Sequence, residues 1–123
     1  MELSRSDLPG ANLIKQYTSG EFLVNGVLYT QSIIVTADNV LTDWAPRTVS
    51  ELDVPDFERF ARFDAEIVIL GTGRELVFPD LKLLQPLIDQ RCGYEIMNSR
   101  AACNTFNILI GDDRKVIAAL LSG

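Results

Sequence analysis

At 123 residues, 47% apolar and 23% charged, the chain has the composition of one folded unit with a core of ordinary size, not of a disordered segment. A net charge of −6, with 11 Lys and Arg scattered singly, argues against a phosphate-reading nucleic-acid surface and disfavours adsorption to anionic lipid. Two cysteines and no histidine leave no disulfide scaffold, no ready metal-ligand set and no imidazole base, so no metal, cofactor or catalytic residue is expected.

Met1–Asn12 is polar around Pro9-Gly10 and lacks the apolar core of a signal peptide. It is expected to be a loosely held lead into a single domain over residues 13–123. The longest apolar runs, Ile67–Leu70 and Val116–Leu121, fall far short of the roughly 20 residues that span a bilayer, so no membrane insertion is expected. With its thiols and acidic balance, the expected setting is a reducing bacterial cytoplasm.

Leu13–Tyr17 reads as a short strand. Asn25-Gly26 between two apolar runs is what a type I′ turn requires, because both central residues take positive φ; Glu21–Val24 and Val27–Thr30 therefore form a hairpin. Ser32–Thr36 continues as a strand, Asp38-Asn39 turns the chain, and Val40–Trp44 follows as another short strand. From Thr48 the period changes. Val54, Phe57, Phe60 and Ala61 recur at helical spacing behind Asp53 and Pro55, placing a helix over Val54–Arg62.

Glu66–Leu70 is the most strand-like stretch, an apolar run of the kind buried on both faces, and it stops at Gly71-Thr72-Gly73. Leu81, Leu84, Leu87 and Ile88 outline a second helix that Pro86 must restart or kink, with Gly93 as its terminator. Tyr94–Met97 is a strand, and Asn98 or Ser99 caps a helix burying Ala102, Cys103, Phe106, Leu109 and Ile110. Asp112-Asp113 breaks that helix and Lys115–Leu121 is the final strand. An antiparallel N-terminal half thus precedes helix–strand alternation, which implies a mostly parallel sheet; the N-terminal strands either extend it or form a further layer.

Gly71-x-Gly73 invites comparison with dinucleotide loops, but Leu76 stands where a third glycine belongs and no helix follows at once. A structural tight turn is the preferred reading, a binding loop the alternative. If the strands ending at Leu70 and Met97 are parallel neighbours, their following loops share one rim. There Gly71, Thr72, Gly73, Arg74, Asn98, Ser99, Arg100 and Asn104 are candidate ligand-binding residues, with Arg74 and Arg100 poised for a small carboxylate or phosphate. The plainer alternative is a helix cap with solvated arginines. Cys103 lies on an apolar stripe and reads as a buried thiol rather than a nucleophile. Paired carboxylates such as Asp53/Asp56 and Asp64/Glu66 sit at caps and turns. Trp44 and the phenylalanines are mostly core by spacing, and an exposed Trp44 would point to an interface.

The run ILGTG, the Phe78-Pro79 step into a helix, and GYEIMNSRAACNTFN together resemble the Mth-938-like family, also called DUF-498. The resemblance rests on Gly93, Glu95, Met97, Ala102, Cys103, Thr105, Phe106 and Asn107, and extends to the Asn25-Gly26 hairpin and the strand after it. Asn98 and Ser99 depart from the Asp-Thr usual in that family, and Tyr94 from an aliphatic, while Asn98-Ser99 can still cap a helix. The resemblance implies a three-layer α/β fold, with a central mixed sheet of about five strands, flanking helices and an added N-terminal antiparallel β layer. It implies no established catalysis. For the family's eukaryotic branch, which includes a mitochondrial complex I assembly factor, it implies protein partners in respiratory-complex biogenesis.

The leading expectation is a non-enzymatic binding or assembly module acting through protein–protein contacts. The alternative is a protein that binds a small molecule or anion, or an enzyme acting on one, with its site at residues 71–74 and 98–104. Self-association through exposed apolar surface is a third option. The oligomeric state and strand order are not legible.

Overall fold

The structure, a computed structural model, describes residues 12–123; the segment expected to be loosely held lies, up to residue 11, outside the described residues. β1 (Ile14–Thr18), β2 (Glu21–Val24) and β3 (Val27–Tyr29) form an antiparallel three-stranded sheet. Asn25 and Gly26 join β2 to β3 at φ 48° and 83°, the positive pair that a type I′ turn demands. β4 (Ile33–Val35) and β5 (Val40–Leu41) belong to a second sheet with β6 (Ile67–Gly71), β7 (Gly93–Met97) and β8 (Val116–Leu120). Its order is β5-β4-β8-β6-β7, with β6 parallel to both β7 and β8 and β4 antiparallel to both β5 and β8. The N-terminal strands therefore do both of the things expected of them: β4 and β5 extend the mixed sheet, and β1–β3 form the added layer.

The inner strands β4, β6 and β8 are buried on both faces, and strict alternation assigns their side chains. Ile33, Val35, Ile69, Val116, Ala118 and Leu120 join a core with Ile14 and Phe22 of the small sheet and with Phe106 and Ile110 of α3 (Ser99–Gly111). Ile34, Val68, Leu70, Ile117 and Ala119 face the opposite core, against α1 (Val54–Ala61) and α2 (Gln85–Asp89). Phe22, Phe57, Phe60 and Phe106 are fully buried, and each such side chain contributes about 1.5–3 kcal/mol by leaving water.

Local chemistry sets the boundaries. Asp53 and Asp56 form a reciprocal capping box at the start of α1, with Pro55 in its first turn. Trp44 is buried edge-on to Phe60 and its indole N–H donates to Asp56 Oδ1 at 3.0 Å, so it is core and not interface. β5 is shorter than the Val40–Trp44 run expected, because the chain beyond Leu41 leaves the sheet to deliver that indole. Asp43 beside it is hydrogen-bonded and paired to Arg59 at 2.8 Å, which lowers its carboxyl pKa. Pro86 does restart its helix: a 3-10 turn over Leu81–Leu84 passes into α2.

Three expectations need correction. Gly93 does not terminate α2; it opens β7, and Arg91 takes the left-handed conformation instead, at φ 54°. Leu84 and Leu87 of the supposed helical stripe are buried, but the 3-10 turn breaks the α period and leaves Leu81 and Ile88 exposed. Phe78, counted with the core aromatics, is also exposed, because it lies in an irregular stretch between Gly73 and Leu81.

Candidate functional site

β6 and β7 run in parallel register, Gly71 beside Met97, so the two following connections leave from one edge of the sheet. Here α3 comes very close. A Cβ on Gly71 would lie 3.0 Å from Ser99 Cα and from Ala102 Cβ, so any larger residue would press α3 away from β6. Asn98 caps α3 by accepting from the Ala101 amide at 2.8 Å, as its position predicts.

Ser99 is fully buried and joins three parts of the chain. Its hydroxyl donates to the Leu121 carbonyl and accepts from the Gly73 amide, both at 2.9 Å, while its own amide donates to the Gly73 carbonyl at 2.8 Å. Gly73 sits at φ 97°, with the Gly123 carbonyl against the place a side chain would occupy. Thr72 is buried too. Its amide donates to Met97 O, its hydroxyl donates to Glu75 O at 2.6 Å, and that hydroxyl accepts from Val77 N–H at 3.1 Å. Gly71, Thr72 and Ser99 are thus framework: their polar groups are spent inside the protein.

Four of the eight candidates do line a common space. Gly73, Arg74, Asn98 and Arg100, with Ser19 from the β1–β2 turn, enclose a cleft of about 260 Å³. Arg74 and Arg100 are exposed, and among the described residues neither enters an ion pair. Two guanidiniums, a hydroxyl and an amide can receive a carboxylate or phosphate. Asn104, one turn further along α3, is exposed and not part of the cleft. Ser19 has no sequence signal, since only the stacking of the small sheet on α3 carries it here.

The thiols are not poised for chemistry. Burial pushes the Cys103 pKa up to about 12, against weaker opposing effects of a backbone hydrogen bond and Arg100. Burial likewise raises Cys92, whose Sγ donates to the Ala65 carbonyl at 3.1 Å. A recess of about 350 Å³ lies at the opposite end of the sheet, between Thr36–Asn39 and Asp113–Ile117. Among the described residues no cluster of metal-ligating side chains occurs.

The feature that periodicity missed lies just past the cleft. Leu76, Val77, Phe78 and Leu81 form an apolar ledge, with Phe78 67% and Leu81 72% exposed. Such grouped apolar surface in water marks a contact region more often than chance exposure does.

A family described as "Protein of unknown function (DUF498/DUF598)" matches residues 14–121. A Francisella tularensis protein named "13 kDa major membrane protein" is 23% identical over 98% of this chain and 99% of its own length. The Xenopus tropicalis "NADH dehydrogenase [ubiquinone] 1 alpha subcomplex assembly factor 3" is 26% identical over 88% of this chain, which spans 60% of that longer protein. A solution structure from Bordetella pertussis, described as a Mth938-like domain, superposes with a TM-score of 0.82 over 99% of this chain and 92% of its own, at 22% identity. Among the described residues no helix is long and apolar enough to cross a membrane.

Proposed function

The chain belongs to the DUF498/DUF598 family, and from that premise we propose that it is a non-enzymatic binding or assembly module working through protein–protein contacts. The observation that carries this reading is the ledge of Leu76, Val77, Phe78 and Leu81, held up to solvent on a loop whose base is locked. Apolar side chains so placed gain free energy only when a partner covers them. The name of the Xenopus relative favours an assembly role and, more narrowly, one in the biogenesis of a respiratory complex. The acidic composition and free thiols support a cytoplasmic setting.

Affinity purification tests this directly. Tagged protein should recover a stoichiometric partner that a Phe78→Ser/Leu81→Ser variant does not. Recovery of nothing above background by the unaltered protein overturns the reading.

A second reading rests on the cleft. Gly73, Arg74, Asn98 and Arg100 bind a small phosphate or carboxylate there, above the framework of Gly71, Thr72 and Ser99 and with Asn104 outside it. Thermal-shift measurements with inorganic phosphate and short dicarboxylates should show stabilisation that Arg100→Ala abolishes. Ligand at a hundredfold excess over Kd adds about 2.7 kcal/mol, well within detection. A flat response removes this reading.

A further inference from the structure

We propose that β7 is an open docking edge that takes an extended, basic segment of another protein as a sixth strand of the central sheet; this deepens the protein-contact reading and rests on it. The two edges of that sheet differ. β5 has two residues, whereas β7 has five and contains neither Pro nor Lys, two of the usual blunting devices.

The hydrogen-bond pattern fixes which groups of β7 are free. Gly93 N–H donates to Glu66 O at 2.9 Å, and Met97 O accepts from Thr72 N–H at 2.8 Å. Parallel pairing alternates, so Gly93, Glu95 and Met97 turn their backbone groups to β6. Tyr94 and Ile96 turn theirs outward, presenting two N–H and two C=O groups to an incoming strand. Gly93, Tyr94 and Glu95 are exposed and Ile96 is half-buried, and among the described residues no strand pairs with this edge. The ledge adjoins it: Thr72 bonds Met97 at the end of β7 through its amide and Val77 at the start of the ledge through its hydroxyl.

Charge selects the occupant. A second copy of this chain would pair through a two-fold axis, and full overlap of the outward groups centres that axis on Glu95. The two Glu95 side chains would then stand directly opposite each other, an arrangement that opposes pairing. Glu95 has no ion pair among the described residues, and the whole chain carries −6, which adds to the repulsion. A strand with Lys or Arg opposite Glu95 meets neither obstacle.

The probe is a capped Thr-Val-Thr-Lys-Thr-Val-Thr peptide, with a counterpart carrying Glu in place of Lys, each added at millimolar concentration to 15N-labelled protein. The Lys peptide should slow exchange of the Tyr94 and Ile96 amides about tenfold, as newly paired edge amides do, with the Glu peptide several-fold weaker. Tyr94→Pro deletes an outward N–H without touching the β6 ladder and should abolish the effect. Should that variant unfold, Glu95→Lys serves instead and should invert the preference between peptides. No protection at either amide, an unchanged preference in Glu95→Lys, or concentration-dependent self-association lost in Tyr94→Pro overturns the proposal. Affinity purification separates the two levels. If Tyr94→Pro still recovers the partner that Phe78→Ser/Leu81→Ser loses, the edge proposal fails while the protein-contact reading stands.

Discussion

Residues 71–73 and residues 76–81 follow one another along the same connection out of β6, yet they treat water in opposite ways. In the first stretch the backbone is clamped by Ser99, and Thr72 is buried with both its amide and its hydroxyl engaged. In the second, Leu76, Val77, Phe78 and Leu81 stand in solvent. Gly71, Thr72 and Ser99, which look functional on paper, have their polar groups engaged inside the protein. The leucines and phenylalanine, which look like core, are what the molecule offers to the outside.

That contrast can be broken most severely at Gly73. Gly73→Ala forces a side chain into the left-handed region and against the Gly123 carbonyl. We expect a loss of about 3 kcal/mol in urea unfolding, with the strain and the displaced backbone contributing together. A loss under about 1 kcal/mol would mean that the stretch is not locked. Ser99→Ala comes next. It strands the buried Gly73 amide and the Leu121 carbonyl, and should cost about 2 kcal/mol.

A pH measurement probes the helix beneath the clamp. The Cys103 thiol is raised from 9.0 to about 12 in the folded state, so it stays protonated there while the unfolded chain ionises. Its contribution is complete below pH 9 and is lost as pH climbs from there toward 12, roughly 1 kcal/mol by pH 10. Cys103→Ser should remove that high-pH slope, and native protein at pH 8 should resist alkylation at this residue. The smallest effect belongs to the ledge: Phe78→Ser/Leu81→Ser should move stability by no more than about 0.5 kcal/mol, because the side chains are exposed in both states. A large loss there would erase the distinction between the two stretches.

Much of the fold is legible locally. Asn25-Gly26 specified its turn, Asp53 with Asp56 specified a capped helix start, and Pro86 specified the break between the 3-10 turn and α2. The unbroken apolar run Ile67–Leu70 reads as burial on both faces, which is what the two cores on either side of the sheet require. The stacking of β1–β3 on α3 was not legible. It depends on contacts such as the Asn107 side chain, which both donates to and accepts from the Ile14 backbone like a strand residue. The same long-range stacking brings Ser19 into the cleft. Nor could spacing foresee the exposure of Phe78 and Leu81, since an apolar residue in an irregular stretch carries no period by which to judge its direction.

β8 also bears on how the molecule is made. It lies between β4, to which it runs antiparallel, and β6, to which it runs parallel, so it joins the amino-terminal and carboxy-terminal halves. Ile33 finds its neighbour only in Leu120. On the ribosome, β4 must therefore wait with one flank unzipped until nearly all the described sequence has been translated. Loop closure over that separation is slow, and the waiting strand is sticky. Nascent chains of this protein should accordingly depend on holdase chaperones until β8 emerges to close the seam.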